Sequence, residues 1–276
     1  MTGESDPPQS KPVVPAKAGT QSSASSEPPS DEPWAALRRL TAARIGLARS
    51  GASLATAPLL DFRLAHARAR DAVHAPLDET QLVNDLAKLG LPVLTVTSAV
   101  QDRQQYLMRP DLGRRLSADG TAMLANHADG DCDVAFVISD GLSACAVQAH
   151  AAPVLAAVLP ALRAEGWRIA PVTVALHGRV AIGDAIAMAL RAAIVAVLIG
   201  ERPGLSAPDS MGAYLTWQPT PQTTDAERNC ISNIRPEGLR YADTAARLVR
   251  LLRAMRARQV SGVALKHDDD ARLITE

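Results

Sequence analysis

Three strongly apolar runs, Val134 to Ile138, Ile169 to Leu176 and Ala193 to Ile199, constrain this chain more than any other feature. Near-continuous apolar strands belong in sheets covered on both faces, and each run is separated from the next by enough chain for a helix. Such alternation predicts a parallel sheet. The connecting segments are read as Ser143 to Leu162, which Pro153 and Pro160 should break, and Ile182 to Ala192.

The reading extends outward from these runs. Pro92 to Val100 is β-branched and short enough for a further strand, with Thr95, Thr97 and Ser98 suggesting one wet face. Pro110 and Asp111 punctuate the chain before a helix expected over Leu112 to Ala125. Residues 213 to 217 suit an edge strand. A last helix, Tyr241 to Gln259, carries Ala245, Leu248, Leu252 and Met255 on one side and is ended by Gly262. Ahead of the sheet, helices are expected from Trp34 to about Gly51, Leu59 to Val73 and Glu79 to Lys88, the last stopped by Gly90 and Pro92. The fold class is therefore α/β, a Rossmann-like parallel sheet flanked by helices and preceded by a helical region. The divisions are 1–33, 34–90, 91–262 and 263–276. The first holds seven prolines and seven serines with almost no large apolar side chain, a composition expected to stay disordered. The charged C-terminal segment is expected to fray.

Composition narrows the function. Lys and Arg number 29 against 29 Asp and Glu, which removes the broad positive field of a general nucleic-acid binder, and aromatics at 3% leave few platforms for base stacking. Three widely spaced cysteines, Cys132, Cys145 and Cys230, argue against a disulfide scaffold and for a reducing compartment. No run of about 18 uninterrupted apolar residues and no basic start followed by an apolar stretch is present, so neither membrane insertion nor secretion is expected. The strings G-x-G-x-x-G, G-x-x-x-x-G-K-[ST], G-x-S-x-G and H-E-x-x-H are missing from the sequence.

Each apolar run empties into a loop carrying glycine beside a charge: Asp140-Gly141, Gly178-Arg179 and Glu201-Arg202-Pro203-Gly204. In a parallel sheet these loops share one edge, where ligands of open α/β sheets bind. Wet loop charges and ordinary turns account for any one of them equally well. Glu201 follows a continuous apolar strand, so its charge needs a donor: ligand amides, Arg202 or Arg228. Asp140-Gly-Leu-Ser143 reads as a turn and a helix N-cap. Cys230 reads as a loop cysteine, for which a nucleophilic role would need a base such as His177. Arg247, Arg250, Arg253 and Arg256 form a basic helix face, either solvated or gripping an acidic partner.

Five strings occur in order: Arg109-Pro-Asp-Leu-Gly-Arg-Arg115, Val137-Ile-Ser-Asp-Gly-Leu-Ser143, Gly178-Arg-Val180, Gly200-Glu-Arg-Pro-Gly-Leu205 and Cys230-Ile-Ser-Asn-Ile234. Together they resemble the small subunit family of ethanolamine ammonia-lyase, over roughly Trp34 to Gly262. The resemblance implies a hetero-oligomer with a larger barrel-forming subunit that holds ethanolamine, with adenosylcobalamin between the two chains. It implies coenzyme contacts by Val180, Glu201 and Cys230, no catalytic residue and no metal ligand from this chain, and neither nucleic acid nor membrane as partner. The chain lacks a D-x-H-x-x-G string, so the coenzyme is expected to keep its own benzimidazole base. Some members of the family reside in bacterial microcompartments through an amphipathic N-terminal helix. Residues 1–33 are too proline-rich for one, and cytoplasmic residence fits equally well. A different class of function, a stand-alone α/β nucleotide- or cofactor-binding transferase, would use Asp140, Arg179 and Glu201 around a phosphorylated ligand.

Overall fold

The computed structural model describes residues 33–127 and 130–266. The expected disorder of the first segment and fraying of the last therefore lie almost wholly outside the described residues. The chain forms two compact units, residues 1–47 and 48–276. In the first, helix α1 (Pro33–Arg38) is shorter than the helix expected to reach Gly51. Beyond it the chain folds back, and the Arg38 guanidinium donates to the carbonyls of Ile45, at 3.0 Å, and Gly46.

The second unit opens with a two-strand hairpin, β1 (Arg49–Ser50) and β2 (Ser53–Leu54), then helices α2 (Thr56–His74) and α3 (Glu79–Ala87). Strand β3 (Val93–Thr97) leads into α4 (Arg103–Met108), capped by the Asp102 carboxylate accepting the Gln105 N–H at 2.7 Å. The helix expected over Leu112 to Ala125 is in fact two pieces. A 3₁₀ turn (Leu112–Arg114) is followed by α5 (Ala118–Ala125), because the Ser117 hydroxyl accepts the Gly120 N–H at 3.0 Å and starts a new helix there.

Strands β4 (Cys132–Ser139), β5 (Val172–Leu176) and β6 (Ala192–Gly200) are the three apolar runs, joined by α6 (Ala144–Ala164) and α7 (Ile182–Ala189). Pro171 has no N–H to give the ladder, and β5 begins only after it. The chain finishes with β7 (Met211–Trp217), β8 (Asn229–Ile234), α8 (Tyr241–Arg258) and α9 (Val263–Lys266). Gln259, at a left-handed φ of 56°, ends α8 ahead of Gly262. The main sheet has the order β3-β5-β4-β6-β7-β8, parallel through β6 and antiparallel at β7 and β8. β7 is thus an interior strand rather than the expected edge, because β8 covers it.

Helix α6 does not break at Pro153 or Pro160. A helical proline frees the carbonyl four residues earlier, and here those residues, Ala149 and Ala156, are exposed, as are both prolines. The freed groups lie on the solvent-facing side of the helix, while Val147, Val154, Leu155, Val158 and Leu162 stay buried on the opposite side. Among the described residues α6 is also the one helix long and apolar enough to cross a membrane. Its buried side packs against the sheet and α8.

Alternate residues of each parallel strand face opposite layers. Val134, Phe136 and Ile138 join α3, α6 and α8 in one core, while Ala135 and Val137 join α5 and α7 in the other. Both faces are covered, which is why the strands read as unbroken apolar runs. Cutting the fully buried Phe136 to alanine would cost about 3–5 kcal/mol. Chain leaving β4 crosses on the α6 face and chain leaving its neighbour β5 on the α7 face, so the connections diverge where the two strands end. That divergence opens the carboxyl edge of the sheet.

Candidate functional site at the carboxyl edge of the sheet

The three glycine loops do share one edge, but their side chains divide between separate places. At the end of β4, Asp140 is buried and paired with Arg103, whose Nη1 lies 3.2 Å from its Oδ2. His177 Nδ1 is 3.3 Å from the same oxygen, without the alignment of a hydrogen bond. A cavity of about 420 Å³ borders these three residues. The loop closes tightly: Gly141 has φ 55°, and a Cβ there would lie 2.3 Å from the Gly200 carbonyl oxygen. Ser143 occupies the N-cap position of α6, yet its hydroxyl donates to the Pro208 carbonyl at 2.9 Å instead of capping the helix.

A second cavity, of about 330 Å³, collects residues far apart in sequence: Val180 and Ala181 ahead of α7, Arg114 from the 3₁₀ turn, Tyr214 on β7 and Cys230 on β8. Cys230 is on a strand rather than in a loop, exposed at the sheet edge and directly opposite Tyr214 in the β7–β8 register. Burial pushes the Tyr214 phenol well up, and Cys230, to which it is hydrogen-bonded, and Glu201 push it the same way. His177 stands beside Asp140 rather than at Cys230, so the thiol's neighbour is a phenol that holds its proton tightly.

Glu201 lies outside the wall of this cavity but close to it. A Cβ on Gly212 would sit 2.9 Å from Glu201 Oε1 and 3.2 Å from the Tyr214 ring. Its donors are neither Arg202 nor Arg228. The Ser210 hydroxyl and the Asn233 N–H, at 3.3 Å, both donate to Oε2, while Oε1 receives no hydrogen bond among the described residues.

Arg228 is held elsewhere. Its Nη1 and Nη2 donate to Asp184 Oδ1 and Oδ2, each at 2.7 Å, and Nη1 also donates to Thr216 Oγ1 at 3.0 Å. Burial alone would lower the Arg228 pKa, but the hydrogen bonds and charge of Asp184 and Asp225 raise it. The pair was missed from sequence, although an aspartate inside the apolar stretch Ile182 to Ala189 is a signal that a buried cation must meet it.

Tyr106 was also missed. It is fully buried, donates to the Gly178 carbonyl at 3.2 Å, and lies between two guanidinium groups, Arg179 at 4.1 Å and Arg103 at 4.8 Å from its ring centre. Burial is the main reason its phenol is pushed up to about 12. Although β4 and β6 are neighbouring strands, Arg179 lines the 330 Å³ cavity, Asp140 borders the 420 Å³ one, and Glu201 is in the wall of neither. The trio proposed for a transferase is therefore not gathered around one pocket. On the far surface, Arg253 of the basic helix face pairs with Glu165 and Arg256 lies over the Trp167 ring.

Among the described residues no group of three or more His, Cys, Asp or Glu side chains is placed to hold a metal ion. The arrangement at the Val180 cavity suits a ligand edge that is partly apolar and partly amide-bearing, with one free carboxylate oxygen nearby and backbone N–H groups at the start of α7.

Comparison with known proteins follows the same line. A sequence model of the family described as Ethanolamine ammonia-lyase light chain (EutC) matches residues 31–266. A protein of Ralstonia nicotianae named ethanolamine ammonia-lyase small subunit is 52% identical over 245 residues, covering 88% of this chain and 91% of that one. One of the same name from Azotobacter vinelandii is 52% identical over 244 residues, covering 87% and 90%. A third, from Pseudomonas putida, is 50% identical over 250 residues, covering 90% and 92%. With half of its residues shared across nearly its whole described length, the chain belongs to the ethanolamine ammonia-lyase light chain family.

Proposed function

We propose that this chain is the smaller partner in an adenosylcobalamin-dependent ethanolamine ammonia-lyase, which converts ethanolamine to acetaldehyde and ammonia, and that it forms part of the coenzyme site. The observation that carries the reading is the meeting of Val180 and Cys230, fifty positions apart by number, in the wall of one cavity with Tyr214, which Glu201 adjoins. A cavity of about 330 Å³ holds only part of a corrinoid coenzyme, as expected of a site completed by a second chain. When bound, the coenzyme supplies homolysis of its carbon–cobalt bond.

The residues of this chain bind and orient. Glu201 Oε1 is the open acceptor for a side-chain amide of the corrin rim, while Ser210 and the Asn233 N–H fix the carboxylate through Oε2. Val180 offers backbone and apolar contact at the start of α7, and Cys230 packs at the exposed edge strand. The large subunit carries ethanolamine and the reacting atoms.

Coexpression with a large-subunit partner tests the proposal. Ammonia should be released from ethanolamine by the assembled complex with adenosylcobalamin and not without it. Equal release in both cases, or none in either, would sink it.

A further inference from the structure

The wall of the Val180 cavity is unevenly charged. Three guanidinium groups border it, those of Arg114, Arg179 and Arg228. Arg228 is already matched by Asp184 and Asp225. Arg114 is exposed and, among the described residues, has no carboxylate or other polar partner. Arg179 has no carboxylate partner there either: it lies over Tyr106, gives Nη2 to the Tyr106 carbonyl at 3.1 Å, and keeps a buried Nε with no acceptor. The two are locked side by side, because the Arg179 N–H donates to the Gly113 carbonyl at 2.7 Å.

Backbone donors face the same shortage. The N–H groups of Val180 and Ala181, both in the cavity wall just ahead of α7, meet no acceptor among the described residues. Two unmatched guanidinium groups, two free N–H groups and the positive end of a helix dipole together describe the recognition chemistry of a phosphate.

We infer that this side of the cavity holds the phosphodiester of the coenzyme's nucleotide tail, with Arg114 and Arg179 as its cationic partners. The inference rests on the coenzyme reading above and narrows it to one group of the ligand. Arg228, spent on Asp184, is not part of the subsite.

The experiment measures equilibrium binding to the assembled complex, by dialysis with corrin absorbance as the readout. Three probes are used: adenosylcobalamin, adenosylcobinamide phosphate and adenosylcobinamide, of which the last lacks phosphate altogether. Arg114→Ala should weaken the first two by about tenfold or more and leave the third unchanged. Because Arg114 is exposed and unpartnered, that variant keeps the fold. Arg179→Gln should show the same selectivity, with thermal unfolding reporting any loss of the Tyr106 stack. Equal weakening of all three probes, or no change in any, overturns the phosphate subsite and leaves the coenzyme site standing. If the unaltered complex binds none of the three, the coenzyme reading fails and takes the subsite with it.

Discussion

Arg228 and Asp184 meet through two parallel hydrogen bonds of 2.7 Å, with side chains only 2% and 8% exposed. The pair ties the strand that carries Cys230 to the helix that begins just after Val180. It therefore sets the distance between two parts of the Val180 cavity that sequence places far apart.

Removing one member strands a buried charge. Asp184→Asn should destabilise the chain by about 3–5 kcal/mol in denaturant unfolding. Replacing both partners, as Asp184→Leu with Arg228→Met, should recover much of that loss. A double variant no more stable than the single one would show that the pair contributes more than mutual neutralisation.

Gly141 sits at φ 55° with the Gly200 carbonyl where a side chain would begin. Gly141→Ala should cost about 1–3 kcal/mol, since strain and overlap both fall on backbone. A melting temperature unchanged from that of the parent would refute this account of the loop.

Tyr106 titrates high, at about 12 against an ordinary 10.0, so between those values the folded chain keeps a proton that the unfolded chain has lost. Unfolded chains are then favoured, and stability should fall as pH rises from about 10 through 12. The half-buried Tyr214 phenol, also pushed up, adds to the same trend. Tyr106→Phe should flatten the alkaline slope of unfolding free energy while lowering stability near neutral pH, where the hydroxyl's bond to Gly178 is lost.

Glu201→Gln keeps the shape of the side chain and removes its charge. In the assembled complex, coenzyme affinity should fall by about tenfold, the worth of one charge-assisted hydrogen bond. Unchanged affinity would place the corrin rim away from Oε1.

Cys230 is exposed, whereas Cys132 and Cys145 are half-buried. In the isolated chain iodoacetamide should label Cys230 first, and adenosylcobalamin should slow that labelling in the complex. Peptide mass spectrometry reads both. Labelling at the same rate with and without coenzyme would remove Cys230 from the site.

What could be read in advance follows the range of the interactions involved. The apolar runs determined β4, β5 and β6 and their parallel pairing, because a strand buried on both faces must be apolar along its whole length. Capping signals are local too: Ser117 is the N-cap of α5, so the helix expected from Leu112 begins only at Ala118. Strand β8 was missed because Asn229-Cys-Ile-Ser-Asn-Ile234 is half polar, as an edge strand with one covered face is allowed to be. Pro153 and Pro160 misled for a similar reason: a proline's cost depends on whether the freed carbonyl meets water, and only packing decides which side of α6 faces out.

The order of residues alone thus determined an α/β sheet with glycine loops along one edge, and the strings that resemble the family. Tertiary structure alone decided which loop residues share a cavity. It gathered Val180, Tyr214 and Cys230, left Glu201 just behind them, and sent Arg228 to Asp184 rather than to Glu201. Such choices depend on strand order and on which charges lose their water together, and those are set by contacts between segments that the sequence keeps apart.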